Sequence, residues 1–383
     1  MSCGEVRVSG SWGAFEEGAG ASVTDGSHVP CAVPVKSLRG KKVKSLFAGY
    51  GRAMVLADGF GVNWLGGPEN SEAEEVTATL EELRVQHVAF GTNHSVALSL
   101  DGDLYTWGLG EGGQLGQGGT VKESPKPCPV VLRSKTTPVF IRVASGSDHV
   151  AAVTASGDVY TWGCGTSGQT GLIAKTGDRT INEKIVGAQL VPKFVANLQG
   201  IKMHRVSCGD DFTICVTDGG EVWSFGAGES GQLGTGRTTK RMEPARVIEK
   251  AANNAPFVDV ACGTAHTIAL TESGDCYSWG FNAYGQLGLG EGDMETRFEP
   301  VKISPPASGF QVAQIDAATH YSVALTVYHE LFAWGSHYGG RLGHTEAEHK
   351  SAPSLVESLV GKEPRDVACA AGSFKDTFAA SWA

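Results

Sequence analysis

Three histidines each follow a glycine by three positions, at Gly91 and His94, Gly146 and His149, and Gly263 and His266. Imidazole is the side chain best suited to proton transfer near neutral pH, and it is a common zinc ligand. These histidines recur at one point of a repeat, however, so their copies are expected to be dispersed rather than gathered around one ion. They are expected to do a repeated structural job, bonding a neighbouring backbone group, and no metal or other cofactor is expected. Asp148 precedes His149 where Asn93 and Ala265 precede the other two, which marks it as the candidate carboxylate. Residues Gly110 to Gly119 are rich in glycine but lack the Lys-Ser/Thr pair of a phosphate cradle. Nothing supports a Ser-His-Asp triad, so no covalent catalysis is expected.

The elements that must position these residues are short strands. The clearest repeat runs from Gly263 and His266 through Gly274 and Trp279-Gly280 to Gly285-Gln286-Leu287-Gly288. The same order appears from Gly91 to Gly116 and from Gly146 to Gly171; a copy from Gly209 to Gly234 has Phe212 and Phe225 for the histidine and tryptophan. A looser copy has Ala318, Tyr321 and His329 at the glycine, histidine and turn positions, then Trp334-Gly335 and Gly340-Arg341-Leu342-Gly343. Partial copies at Gly49 and Gly372 bring the anchors to seven, spaced 42 to 63 residues apart, a period of four strands and their connections. Within a copy, Val96, Leu98 and Leu100 alternate with Ser95, Ala97 and Ser99 before an Asp101-Gly102 hairpin turn into Leu104 to Trp107.

The last copy ends before its own Trp-Gly half, while Val6-Arg7-Val8 and Trp12-Gly13 stand at the other end of the chain. Strands from both ends are therefore expected to share one blade, closing a seven-bladed all-β propeller that occupies 1–383 as a single domain. Closure leaves no exposed sheet edge. Only Asn70 to His87 has a helical period, with Val76, Leu80 and Leu83 on one face, and it is read as a solvated excursion.

The net charge of −10 opposes strong direct nucleic-acid binding and binding to anionic membrane surfaces. Hydrophobic residues are 41% of the chain and charged ones 19%, a globular balance. Nine cysteines include no C-x-x-C pair, and Cys208, Cys262 and Cys369 fall at matching points of the repeat, as buried thiols in a reducing, intracellular compartment would. Arg39-Gly40-Lys41-Lys42-Val43-Lys44 resembles a short nuclear import signal, the alternative being a basic turn that leads into an expected strand from Val43 to Ala48.

Gly-x-x-His, Trp-Gly and Gly-Gln-Leu-Gly recurring in that order resemble the regulator of chromosome condensation family over nearly the whole chain. The resemblance implies a guanine-nucleotide exchange factor for a small GTPase of Ran type, acting by binding alone and associated with chromatin or histones. It implies residence in the nucleus, with the cytoplasm as the alternative, and a monomer. Asp148 and His266 match positions that such proteins use to bind the GTPase. Lys175, Arg179 and Lys184, in the enlarged Leu172 to Leu190 connection, match a chromatin or partner loop. Trp107-Gly108 runs directly into Gly113-Gln114-Leu115-Gly116, without the wedge-like insertion of the exchange factor, and Thr92-Asn93 stands where a second carboxylate is implied. The alternative reading is a non-catalytic scaffold for protein–protein interactions. The tryptophans that a light-sensing branch of the family places before the histidine do not occur here.

Overall fold

A computed structural model describes residues 6–10, 29–34, 43–50, 52–57, 62–65, 71–119, 121–134, 137–172, 181–182, 187–247, 255–304, 306, 310–344, 346, 348–370 and 377–381. These residues form seven antiparallel sheets, and in five of them neighbouring strands follow one another along the chain. The first sheet contains Val43–Gly49, Arg52–Ala57 and Val62–Leu65. The second contains Val85–Phe90, His94–Ser99, Leu104–Leu109 and Glu123–Pro129. The third adds the short strand Ile181–Asn182 to Phe140–Ser145, His149–Thr154, Val159–Gly163 and Ala188–Phe194. The fourth begins at Met203, the fifth at Phe257 and the sixth at Val312, each with four strands. The seventh joins Asp366–Ala370 and Thr377–Ser381 to Val6–Gly10 and Val29–Pro34, and Val8 lies opposite Ala379. Strands from both ends of the sequence thus share a sheet, as the repeat count requires; Trp12-Gly13 and Gly372 lie outside the described residues. By packing, the chain divides into two compact units, one of residues 1–69 with 261–383 and one of residues 70–260.

The second strand of a sheet is buried at all six positions in His94–Ser99, His149–Thr154, Phe212–Thr217, His266–Thr271 and Tyr321–Thr326. Apolar and small residues alternate there, as expected, but both faces are covered. Val96 and Leu98 join one core cluster with Phe140, Val143, Val150, Ala152 and Trp162. Leu100 differs from expectation: the strand ends at Ser99, whose N–H donates to Asp103 O at 2.9 Å, and Leu100 is 44% exposed in the turn. Gly102 then sits at φ 87°, the left-handed position that closes this three-residue hairpin loop. In the looser copy His329 holds the same place at φ 63°, anchored by its Nδ1 to Pro364 O at 3.1 Å.

Ser71–Glu82 is the one α-helix among the described residues, and it is less solvated than its charge suggests. Val76 and Leu80 are buried, the helix packs against Glu123–Pro129, and Glu75 pairs with Lys126 at 3.4 Å. The helix stands where its copy lacks a Gly-Gln-Leu-Gly turn.

The first strands carry a bulge just before a polar residue, at His87, Arg142, Arg205 and Gln314. A bulge re-aims the side chain that follows it. In the unit of residues 70–260, Arg205 Nε lies 3.3 Å from Asp259 Oδ1, and burial raises the Asp259 carboxyl above its ordinary range against the pull of Arg205. In the other unit Gln314 Nε2 donates to Asp366 Oδ1 at 2.8 Å, and Asp366 Oδ2 accepts the Leu46 N–H at 2.9 Å. Asp366-Val367-Ala368-Cys369 repeats Asp259-Val260-Ala261-Cys262, so the last copy is anchored at Ala370, two residues before the glycine that the sequence suggested.

Candidate functional site

The three signatures of the repeat are linked by hydrogen bonds between one copy and the next. A Cβ on Gly146 would lie 2.2 Å from His149 Cε1 and 2.4 Å from Gly209 O, so only glycine lets the imidazole fold back beneath the next sheet. His149 Nε2 lies 2.9 Å from Thr213 Oγ1, and Thr213 donates its hydroxyl proton to Gln169 O at 2.8 Å. The hydroxyl therefore accepts from the imidazole, which fixes the tautomer with the proton on Nε2. His266 repeats this through Ser322, at 2.9 Å, and on to Gln286 O, at 2.9 Å. Trp334 Nε1 donates to the same Gln286 O at 3.0 Å, and Trp162 Nε1 to Gln114 O at 2.9 Å. Histidine, tryptophan and the glutamine turn all meet at Gln286 O; at Gln169 O Phe225 stands at the tryptophan position, and at Gln114 O the tryptophan arrives without the histidine.

In the second sheet the receiver changes. The residue equivalent to Thr213 is Val150 in the third sheet, which has no hydroxyl, and His94 Nε2 bonds instead to Ser145 Oγ at 2.8 Å.

His266 lies in the core of its sheet. Its side chain has no exposed surface, burial pushes its pKa down to about 3, and its Nε2 is spent on Ser322. A partner that reaches this hairpin meets Thr264 and Ala265 rather than the imidazole. Asp148 is different. It is partly exposed, and Gln114 Nε2 reaches its Oδ1 at 3.3 Å. Gln169 does the same for Asp211 in the next copy, at 2.8 Å. Both glutamines belong to Gly-Gln-Leu/Thr-Gly turns and are buried, so each pins a carboxylate at the surface from beneath.

Burial raises both carboxyls above the ordinary aspartate range; for Asp211 the neighbours Asp210, Asp148 and Glu229 add to the effect. Four acids thus share one field, and a cation brought to them would be attracted by all four. Asp211 was missed in the sequence although it occupies the position of Asp148, because Phe212 replaces the histidine that flagged that position. Lys175, Arg179 and Lys184 lie outside the described residues. Among the described residues no group of histidines, cysteines and carboxylates is arranged to hold a metal ion, and no helix is long and apolar enough to cross a membrane.

Residues 59–377 match the RCC1-like domain family. The chain is 33% identical over 306 residues to the human Regulator of chromosome condensation, covering 77% of this chain and 69% of that protein. It is 34% identical to human E3 ubiquitin-protein ligase HERC2 over 88% of its own length but spans only 7% of that ligase. The Ultraviolet-B receptor UVR8 of Arabidopsis thaliana is 33% identical over 73% of this chain and 59% of the receptor. Among solved structures, Prp20p from Saccharomyces cerevisiae superposes over 100% of this chain and 92% of its own with a TM-score of 0.81 at 19% identity. Human WBSCR16 gives 0.78 at 22% identity, over 99% of each chain. Seven repeated antiparallel sheets, the shared node and these likenesses together place the chain in the RCC1-like domain family, with the fold of a seven-bladed β-propeller.

Proposed function

We propose that the chain works as a protein-binding propeller that docks a small GTPase of Ran type on the rim carrying Asp148 and Asp211 and promotes release of its guanine nucleotide. The observation that carries this reading is the pair of rim carboxylates, each pinned by a buried glutamine and together forming one acidic field. Kinship supports it: the human Regulator of chromosome condensation is a relative, and Prp20p is described with binding properties to Gsp1p and histones. The mechanism is differential binding, in which the propeller holds the nucleotide-free GTPase more tightly than the loaded form and no covalent step occurs. Histones or chromatin are proposed as further partners, with Lys175, Arg179 and Lys184 as the contact residues and the nucleus as the site of action.

The second reading, a scaffold without exchange activity, is favoured by Asn93 at the position of Asp148 and Asp211, and by the direct run from Gly108 to the Gln114 turn. Timing the release of a fluorescent guanine nucleotide from Ran separates the two. Under the exchange reading the protein accelerates release. Asp148→Ala and Asp211→Ala each slow it about tenfold, the effect of losing one charge-assisted contact of about 1.4 kcal/mol. Unchanged release at saturating protein would leave the scaffold.

A further inference from the structure

The unit of residues 1–69 and 261–383 carries a second surface of opposite character. His320 occupies the position of Asp148 and Asp211, directly before the residue that matches His149. In the other two copies the glutamine of the preceding turn donates its Nε2 to the carboxylate there. Here the glutamine is Gln286. It is fully buried and its Oε1 accepts the Tyr284 N–H at 3.0 Å, as Gln169 Oε1 accepts the Ser167 N–H at 2.9 Å. Its Nε2, however, has no acceptor. An amide donor is thus aimed at a place where the repeat puts a carboxylate and this copy has none.

Aromatic rings surround the place. The Tyr284 and His320 rings are 4.8 Å apart, Tyr284 lies 5.5 Å from His349 and 6.1 Å from Tyr338, and Tyr338 lies 5.1 Å from His349. Tyr338 is 61% exposed, so the cluster opens to solvent. A cage of aromatic rings often takes a cation, but the field here argues against one. Arg341 lowers the pKa of His320, His337 and His349 after burial, and no carboxylate acts on any of the three. The nearby acids are engaged elsewhere: Glu346 holds Lys350 Nζ at 2.6 Å, Glu348 and Glu291 also act on Lys350, and Glu346 and Glu357 act on His344.

We infer that Gln286, His320, Tyr284, Tyr338, Arg341 and His349 form a binding site for a carboxylate side chain of an acidic segment of a partner protein. His320 turns aside by a change of rotamer, a fast motion for a partly exposed side chain, and the partner's carboxylate accepts the Gln286 N–H. The tyrosines pack along the peptide. A carboxylate among these imidazoles also raises their proton affinity, so the complex takes up protons and forms more tightly as the pH falls from neutral toward mildly acidic values.

Fluorescence anisotropy with a labelled oligoglutamate peptide tests this on the full chain alone, without any GTPase, so its failure is independent of the rim formed by Asp148 and Asp211. Oligoglutamate should bind, oligoglutamine of the same length should not, and affinity should rise on mild acidification. Gln286→Met, which keeps the volume and removes the donor, should weaken binding about tenfold. His320→Asp should abolish it by supplying the carboxylate internally, as Asp148 and Asp211 do. Exposed Tyr338→Ser should weaken binding severalfold without affecting the fold. Equal binding of oligoglutamine, preferential binding of oligolysine, equal competition by inorganic phosphate, or wild-type affinity in Gln286→Met and His320→Asp would each overturn the assignment.

Discussion

Replacing Thr213 by valine should lower the unfolding free energy by about 2 kcal/mol, although the two side chains are nearly the same size. The hydroxyl has two jobs in a buried site: it accepts from His149 Nε2 and donates to Gln169 O. Its loss leaves a buried N–H and a buried carbonyl unpaired, which is the costly way to remove a hydrogen bond. His149→Ala should cost more, about 3 to 4 kcal/mol, because it adds a cavity to the broken node. His149→Phe should cost less than the alanine, since the fourth sheet already places Phe212 at this position. The decisive test is the cycle. If the node is one device, Thr213→Val in the His149→Phe background should cost at least about 1 kcal/mol less than in the wild type. Urea unfolding of the four proteins reads this directly, and additive costs would show that histidine and threonine act separately.

That node shows what the sequence makes visible and what it hides. The three signatures are legible because each uses a residue with few substitutes: glycine under the imidazole, histidine as a planar donor, tryptophan as a large ring with one N–H. Their common purpose is hidden, because the receiving group is an ordinary hydroxyl whose position changes, from Thr213 and Ser322 in the second strand to Ser145 in the first. The same reason explains His266. A histidine at a hairpin top reads as a surface ligand until the fold turns the ring inward to a partner 56 residues away. Asp148 was legible by its departure from the repeat, but Asp211 lost its flag when phenylalanine replaced histidine. Gln114, Gln169 and Gln286 looked like turn residues alone, since the carboxylates they meet, or fail to meet, lie 34 to 42 residues further on. The polar row of the first strands was hidden for a local reason: a bulge breaks the period of two just before each of its residues.

The buried histidines also set how the protein responds to acid. Burial lowers the pKa of His149 and of His266 from 6.5 to about 3, while in the unfolded chain both titrate near 6.5. A base whose folded pKa is depressed gives stability that is full above its unfolded pKa and is lost as the pH falls toward its folded pKa. Between pH 6.5 and about 5 the unfolded state takes up close to one proton per histidine more than the folded state, which removes about 3 kcal/mol for the two together. The raised carboxyls of Asp148, Asp211, Asp259 and Asp366 act in the opposite sense, because the folded state binds their protons more readily. Their contribution grows as the pH approaches the aspartate range and flattens the curve there, leaving the histidine slope clearest between 6.5 and about 5. Urea unfolding at a series of pH values should show that slope. His149→Phe, which removes one of the two imidazoles, should reduce the loss over this interval by about 1.5 kcal/mol, even though the variant is less stable at neutral pH. A stability that stayed level across the interval would mean that the imidazoles are already charged in the folded protein. Nε2 of each would still donate, but the pattern of Thr213 and Ser322 passing their protons on to Gln169 and Gln286 would no longer account for a neutral ring.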